Sequence, residues 1–204
     1  ELAQSRNPRA ALDWSDDLAH RLIAFRLTHG TGDEPGWYTL LAQQRPQVVA
    51  EVLEAYARQC LTMRAEHAIT GLWPLAREDA LAELARLVVP NLLRDFPMRA
   101  RAAQLRRLNT ELLPAAVRHV AADELKSIVT ERLARSEIAS AQRIAWLLVG
   151  LRFAPHRRPR QLFDLVGKSR ARALRLGATL YAQADHAKNL SPLPAVVLAR
   201  LIEK

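Results

Sequence analysis

Apolar residues recur along most of the chain at the three- and four-residue spacing that places them on one face of an α-helix. The clearest stretch begins at Pro46 and continues to about Met63. Its apolar stripe consists of Val48, Val49, Val52, Leu53, Tyr56, Cys60 and Leu61. The same spacing returns in successive short segments, which predicts about ten helices joined by short connections.

Several helix ends are predicted from residues that favour one end of a helix. Ser15 is expected to cap the first helix and Gly30 to end it. Pro46 suits the first turn of a helix, where its missing N–H has no intrahelical partner to lose. Asp123 is expected to cap a later helix. These positions predict helices that alternate with brief turns.

Prolines predict further boundaries in the middle of the chain. Pro90 should bend or break the segment 77–96, because proline removes one helical hydrogen bond and crowds the preceding turn. Pro97 is expected to open the next helix, and Asn109 or Thr110 to cap another. The interpretation is a series of short helices with several interruptions.

The last third of the chain is predicted from its apolar runs and its loop residues. The run from Ile144 to Leu151 is almost continuously apolar, which indicates a helix buried on several sides. Residues 154–160 are expected to form a loop, and two helices follow at about 160–167 and 169–184. A final helix is predicted at about 194–203.

The helix predicted at 169–184 carries a polar face between two apolar flanks. Arg172, Arg175 and Thr179 share that polar face at helical spacing. Leu174 lies on one flank and Leu176 on the other. This arrangement predicts a helix wedged between neighbours, with a single polar strip facing outwards.

Composition supports an all-α fold. The chain has 35 Ala and 34 Leu but only 18 Ile and Val together, and the β-branched residues are those that favour strands. Short helices with broad apolar faces must stack on neighbours to bury them. We therefore expect residues 1–204 to form one HEAT/armadillo-like α-solenoid, with an irregular helical bundle as the alternative.

Charge divides the chain into two unlike halves. Residues 1–100 carry 11 basic and 13 acidic side chains, whereas residues 101–204 carry 19 basic and 8 acidic ones. A basic half attracts nucleic acid, anionic lipid or an acidic protein face, and its densest cluster lies between positions 152 and 175. The candidate partner-binding residues are Arg152, Arg157, Arg158, Arg160, Lys168, Arg172 and Arg175.

Gly167, Lys168 and Ser169 match the end of a phosphate-binding loop. That motif requires another glycine five positions before Gly167, between a strand and a helix. Leu162 occupies that position, and the residues before Gly167 have a helical pattern. Ser169 is better interpreted as the cap of the following helix, so no nucleotide site is predicted.

Asp16, Asp17 and His20 lie within one helical turn and are the best candidates for a metal or catalytic group. Because acidic residues also favour the first turn of a helix, capping explains the two aspartates more simply. No metalloprotease, esterase or Cys–His motif is present. The sequence therefore predicts no catalytic residue, no cofactor and no metal, and an enzyme remains the last of three hypotheses.

The apolar run Ile144–Leu151 is too short to cross a bilayer, so no membrane association is predicted. Cys60 is the only cysteine, which excludes an internal disulfide and favours a reducing compartment. A cytoplasmic location is expected on these grounds.

Three segments, at 36–61, 81–117 and 141–155, resemble the helical-repeat region of large bacterial NACHT-type STAND NTPases through their spaced Trp, Pro and Leu positions. In that family a helical array follows the nucleotide-binding core and senses a ligand or holds the protein inactive. The resemblance implies a piece of a larger protein, without NTPase activity of its own. It implies a non-catalytic module for protein interaction, ligand sensing or autoregulation, with partners among proteins or the domains of its parent chain. A basic nucleic-acid-binding module is the alternative.

Overall fold

The computed structural model describes residues 8–30, 35–63, 69–154, 158–167 and 169–185. These residues form eleven α-helices and no strand, which confirms the all-α prediction. The helices are α1 (Asp16–His29), α2 (Gly36–Gln44), α3 (Pro46–Thr62), α4 (Leu72–Leu75), α5 (Ala82–Arg94), α6 (Ala102–Arg107), α7 (Leu113–His119), α8 (Ala122–Ala134), α9 (Ser140–Gly150), α10 (Arg158–Val166) and α11 (Arg170–Asp185). Two 3-10 turns, Pro8–Asp13 and Asp79–Leu81, and one π-helical turn, Leu108–Leu112, complete the described structure.

Helices that are close in sequence pack on one another. Helix α3 lies between α1 and α5, and α5 also contacts α7 and α8. Helix α8 packs on α9, which in turn contacts α10 and α11. Helix α11 also touches the π-helical turn, about sixty residues earlier in the chain. Most packing between the described helices therefore joins elements that are close in the sequence.

Helix α9 separates two apolar cores and is buried on both sides, as its apolar run predicts. Trp146 and Val149 face the main core, which extends from Ala11 along the chain to α9. The opposite side of α9 contributes to a smaller second core with α10 and α11. This second core contains Ile144, Leu147, Leu148, Leu151, Leu162, Val166 and Leu176.

The predicted ends of the first helices are confirmed. The Ser15 hydroxyl accepts a hydrogen bond from the Leu18 N–H at 3.4 Å, and the Gly30 N–H donates to the Arg26 carbonyl at 2.8 Å. Pro46 occupies the first turn of α3. Local capping chemistry is sufficient to predict these ends because no distant contact opposes it.

Of the bend or break predicted at Pro90, the break is wrong. Helix α5 runs through Pro90 without a break, although its start at Ala82 lies later than the predicted Arg77. Proline inside a helix costs about 3 kcal/mol because the hydrogen bond to the preceding turn is lost. Pro90 and its neighbours Val88 and Val89 are buried in the main core, and this burial offsets the loss.

The boundaries predicted around Pro97 and Asn109 are also wrong. Residues 97–101 precede α6, which begins at Ala102, and α6 continues through the π-helical turn into α7. In a regular helix the Thr110 carbonyl would accept a hydrogen bond from the N–H of residue 114. Pro114 has no N–H to donate, and its ring would crowd the Thr110 carbonyl. The wider π turn lies immediately before Pro114 and accommodates the proline without ending the helix.

Two smaller predictions need correction and one falls outside the described residues. Helix α8 begins at Ala122, so Asp123 lies in its first turn and does not cap it. Helix α10 begins at Arg158, so the expected loop at 154–160 is shorter than predicted. The final helix predicted at 194–203 lies outside the described residues.

Candidate functional site

The seven predicted partner-binding residues lie in different environments. Arg157 and Lys168 are outside the described residues. Arg160 on α10 and Arg175 on α11 are exposed, and no described carboxylate pairs with either guanidinium. Arg170, which the prediction omitted, is also exposed, at the start of α11. Arg160, Arg170 and Arg175, the exposed arginines of α10 and α11 without a described carboxylate partner, are together called the basic face below.

Arg152 and Arg172 differ from that basic face. Arg152 follows α9 and is half-buried, and burial lowers the pKa of its guanidinium. Arg172 is exposed, but its Nη1 donates a 2.8 Å hydrogen bond to the Leu165 carbonyl at the end of α10. Arg172 therefore also links α11 to the turn before it. The predicted cluster contains both surface charges and residues that hold the local structure.

Arg158 lies in a third environment, beside α9 and α8. A methyl group at Gly150 would approach Arg158 Nη1 to 2.7 Å, so the arginine passes directly over the glycine backbone. Its Nη2 donates to the Thr130 hydroxyl at 3.4 Å, and burial lowers its pKa. No described carboxylate forms an ion pair with Arg158. It is a half-buried cation that is held in place by its neighbours.

Arg158 lines an open cleft of about 720 Å³ between α8, α9 and α10. Arg143 also lines this cleft, and its two terminal nitrogens donate to the Leu133 and Arg135 carbonyls at 3.0 and 2.6 Å. The remaining lining residues are Thr130, Leu133, Ala134, Leu147, Ala154, Gln161, Asp164 and Leu165. Sequence reasoning identified Arg158 alone, because no local motif connects residues contributed by three helices.

Helix α11 is covered on one apolar flank but not on the other. Leu176 and Thr179 are buried, so Thr179 faces the interior instead of the predicted polar strip. Leu174 is 66% exposed, and a side chain added at Gly177 would meet no described atom within 4 Å. The prediction of a helix wedged between two neighbours is therefore met on one side only within the described residues.

Asp16, Asp17 and His20 do not converge on a common centre. Asp16 pairs with Arg45, and Asp17 pairs with Arg21 at 2.9 Å. His20 Nε2 lies 3.2 Å from a carboxylate oxygen of Glu51 on α3. In the part of the chain that the structure describes, no group of three His, Cys, Asp or Glu side chains is arranged to hold a metal. The three residues serve helix α1 and its contacts.

Glu111 is a buried carboxylate that no sequence motif marks. It lies in the π-helical turn, is 3% exposed and accepts a hydrogen bond from Arg107 one turn earlier. Burial raises the pKa of Glu111, and the Arg107 guanidinium opposes that shift. The Arg107 guanidinium partly compensates the buried negative charge of Glu111 where the π-helical turn joins α6 to α7. The pair therefore has a structural role.

The resemblance to a phosphate-binding loop does not extend to its structural context. Gly167 ends α10, with a positive φ of 51°, and the segment before it is a helix instead of a strand. Leu162 is fully buried in the second core. The Ser169 hydroxyl accepts from the Arg172 N–H at 3.4 Å, as expected of a helix cap.

Over the described ranges, no helix combines the length and apolar character that a bilayer crossing needs. We compared the chain with protein-family models, with curated proteins and with solved structures, and none of the three comparisons gave a match. The function proposed below is therefore inferred from the geometry of this chain.

Proposed function

We propose that the chain is a non-catalytic α-helical module that binds an acidic protein segment, from a separate partner or from its parent chain, through α10 and α11. The observation that carries the proposal is that α10 and α11 expose three arginines without described carboxylate partners, Arg160, Arg170 and Arg175, and that α11 also exposes Leu174. Guanidinium groups without carboxylate partners favour an acidic ligand. An exposed leucine beside them favours a ligand that also has an apolar side, as an amphipathic protein helix does.

We further propose that the helices continue as an α-solenoid within a larger bacterial NTPase-type protein. Packing of α3 between α1 and α5, and of α9 between α8 and the last two helices, is consistent with neighbour-on-neighbour stacking. The contact between α11 and the π-helical turn joins elements that are far apart in the sequence, and such a contact is also expected in a compact irregular bundle. Small-angle X-ray scattering should give an elongated particle if the solenoid is correct and a nearly spherical one if the bundle is correct.

Placement in a NACHT-type protein follows from the resemblance of the helical segments and has a direct genetic test. The coding sequence upstream of Glu1 should encode a complete phosphate-binding loop between a strand and a helix. A complete upstream sequence without such a loop would contradict this placement. It would leave the proposed binding surface untouched, because that surface depends on α10 and α11 alone.

Binding can be tested with a synthetic peptide that repeats Glu and Leu at helical spacing. A peptide of the same composition with scrambled spacing is the matched ligand control. The ordered peptide should bind more tightly than the scrambled one, and Arg175→Glu should weaken it. Leu174→Gln should also weaken it, because the apolar contact is lost while the charge of the protein is unchanged.

The nucleic-acid alternative is favoured by the same exposed arginines and predicts a different pattern. A DNA duplex bound through phosphates should dissociate steeply with added salt and should lose affinity when Arg160, Arg170 and Arg175 become Ala. Leu174→Gln should leave duplex binding unchanged. Salt-sensitive duplex binding without peptide binding would replace the protein-binding proposal, and absence of both would reject this surface.

A further inference from the structure

The described lining of the cleft between α8, α9 and α10 includes none of the four residues named for peptide binding, and the cleft has the volume of a small-molecule site. Its volume of about 720 Å³ falls within the range typical of ligand pockets, roughly 300–1,000 Å³. Leu133, Leu147 and Leu165 supply an apolar wall, while Thr130 and Gln161 supply polar groups. An apolar wall with a few polar groups is the usual composition of such sites.

Arg158 crosses the end of α9 close to the backbone of Gly150. An added Cβ at Gly150 would lie 2.7 Å from Arg158 Nη1 and 2.8 Å from its Cδ, so a side chain there would force the arginine to shift. The glycine therefore leaves room for this path of the arginine. In this position the guanidinium reaches Thr130 on α8.

The charges that line the cleft do not balance. Arg143 and Arg158 bring two guanidinium groups, and Asp164 is the only carboxylate among the described lining residues. Arg143 is committed to two backbone carbonyls, which orient it without neutralising it. Arg158 makes one long hydrogen bond to a neutral hydroxyl. The lining therefore has an excess of one positive charge, which a monoanion would compensate.

We propose that this cleft binds small monocarboxylates that carry a short branched apolar body. The carboxylate would accept hydrogen bonds from Arg158 in the forked geometry that guanidinium and carboxylate share. The apolar body would lie against Leu133, Leu147 and Leu165. A carboxylate fits better than a phosphate dianion, because the excess charge is one and Asp164 would repel a second negative charge.

The test uses isocaproate and its neutral isostere isocaproamide, titrated into the 204-residue chain and followed by amide chemical shifts. Isocaproate should perturb residues of α8, α9 and α10, and isocaproamide should bind about tenfold or more weakly because the charged hydrogen bonds are lost. Arg158→Gln should lower the affinity for isocaproate by a similar factor. Arg21→Gln, which removes an exposed arginine of α1 outside the cleft lining, is the matched control and should leave binding unchanged.

A second variant protects the test against loss of folding. Gly150→Ala keeps the charge of the protein but displaces Arg158, so it should also weaken isocaproate. Gly177→Ala on open surface is its control. If Arg158→Gln unfolds the protein, the affinity of Gly150→Ala for isocaproate tests the role of Arg158 in its place. Equal binding of acid and amide, absence of isocaproate binding, or tighter binding of inorganic phosphate would each overturn the proposal.

Discussion

Many arginines before residue 136 differ in what they contact from Arg160, Arg170 and Arg175, the exposed arginines of the last two helices. Ion pairs between described residues fall between Asp16 and Arg135, and several join different helices, such as Arg58 with Asp95 and Arg94 with Glu124. Arg160, Arg170 and Arg175 have no described carboxylate partner. The positive charge of the sequence is therefore unevenly available to other molecules.

Many arginines of the first region donate to backbone carbonyls. Short helices leave four carbonyl groups without intrahelical partners at every C-terminal end, and buried carbonyls require donors. Arginine supplies several donors from one side chain and reaches across a helix junction. The arginines that donate to carbonyls of other elements include Arg45, Arg86, Arg101, Arg118 and Arg132. The basic side chains of this region therefore serve the architecture of the fold.

The largest effect should come from Arg132→Ala. Arg132 is 2% exposed and donates to the Arg94 and Phe96 carbonyls at 3.0 and 2.5 Å, beside the ring of Trp146. Its removal leaves buried acceptors without donors, so the free energy of unfolding should fall by about 3 kcal/mol in urea denaturation. Arg135→Ala, which loses one half-exposed ion pair, is the control and should change it by less than about 1 kcal/mol.

A smaller effect is expected from Arg45→Ala. The Arg45 guanidinium donates to the Leu12 and Trp14 carbonyls and pairs with Asp16, which fastens the 3-10 turn Pro8–Asp13 to the start of α1. We expect a loss of about 1–2 kcal/mol. Amide exchange should accelerate mainly in the 3-10 turn. Exchange that accelerates equally throughout the chain would contradict a local role for Arg45.

The region before residue 136 can also be tested at His119, through the pH dependence of the free energy of unfolding. Burial and the nearby Arg118 lower the pKa of His119, Asp79 partly opposes them, and Arg86 adds to the lowering. A folded-state pKa below the ordinary 6.5 gives stability that is present at neutral pH and is lost as the pH falls through the folded value. Urea unfolding at about pH 7 and about pH 5 should therefore show a smaller acid loss in His119→Gln than in the original chain.

The smallest effect on stability is expected from the combined change of Arg160, Arg170 and Arg175 to Gln. These exposed side chains pair with no described carboxylate, so the free energy of unfolding should change by no more than about 0.5 kcal/mol. Binding of the acidic peptide should nevertheless be lost. A large destabilisation would show that the basic face supports the fold, and the contrast between the two regions would fail.

Much of the helical structure could be predicted from local sequence, whereas the candidate cleft could not. The stripe of α3 and the burial of α9 on two sides are visible because helical spacing and apolar character are properties of neighbouring residues. The break expected at Pro90 is wrong because propensity is local, and tertiary packing outweighs it. The cleft joins Thr130, Arg143 and Asp164, and no feature of the sequence brings them together.

The sequence by itself determined that the described chain is helical and where the apolar face of most helices lies, since spacing and capping act over a few residues. Only the tertiary structure decided which arginines remain exposed. A guanidinium group is the same in every position of the sequence, but its availability depends on whether a carbonyl or carboxylate of another helix lies within reach. Arg132 and Arg175 differ for that reason alone.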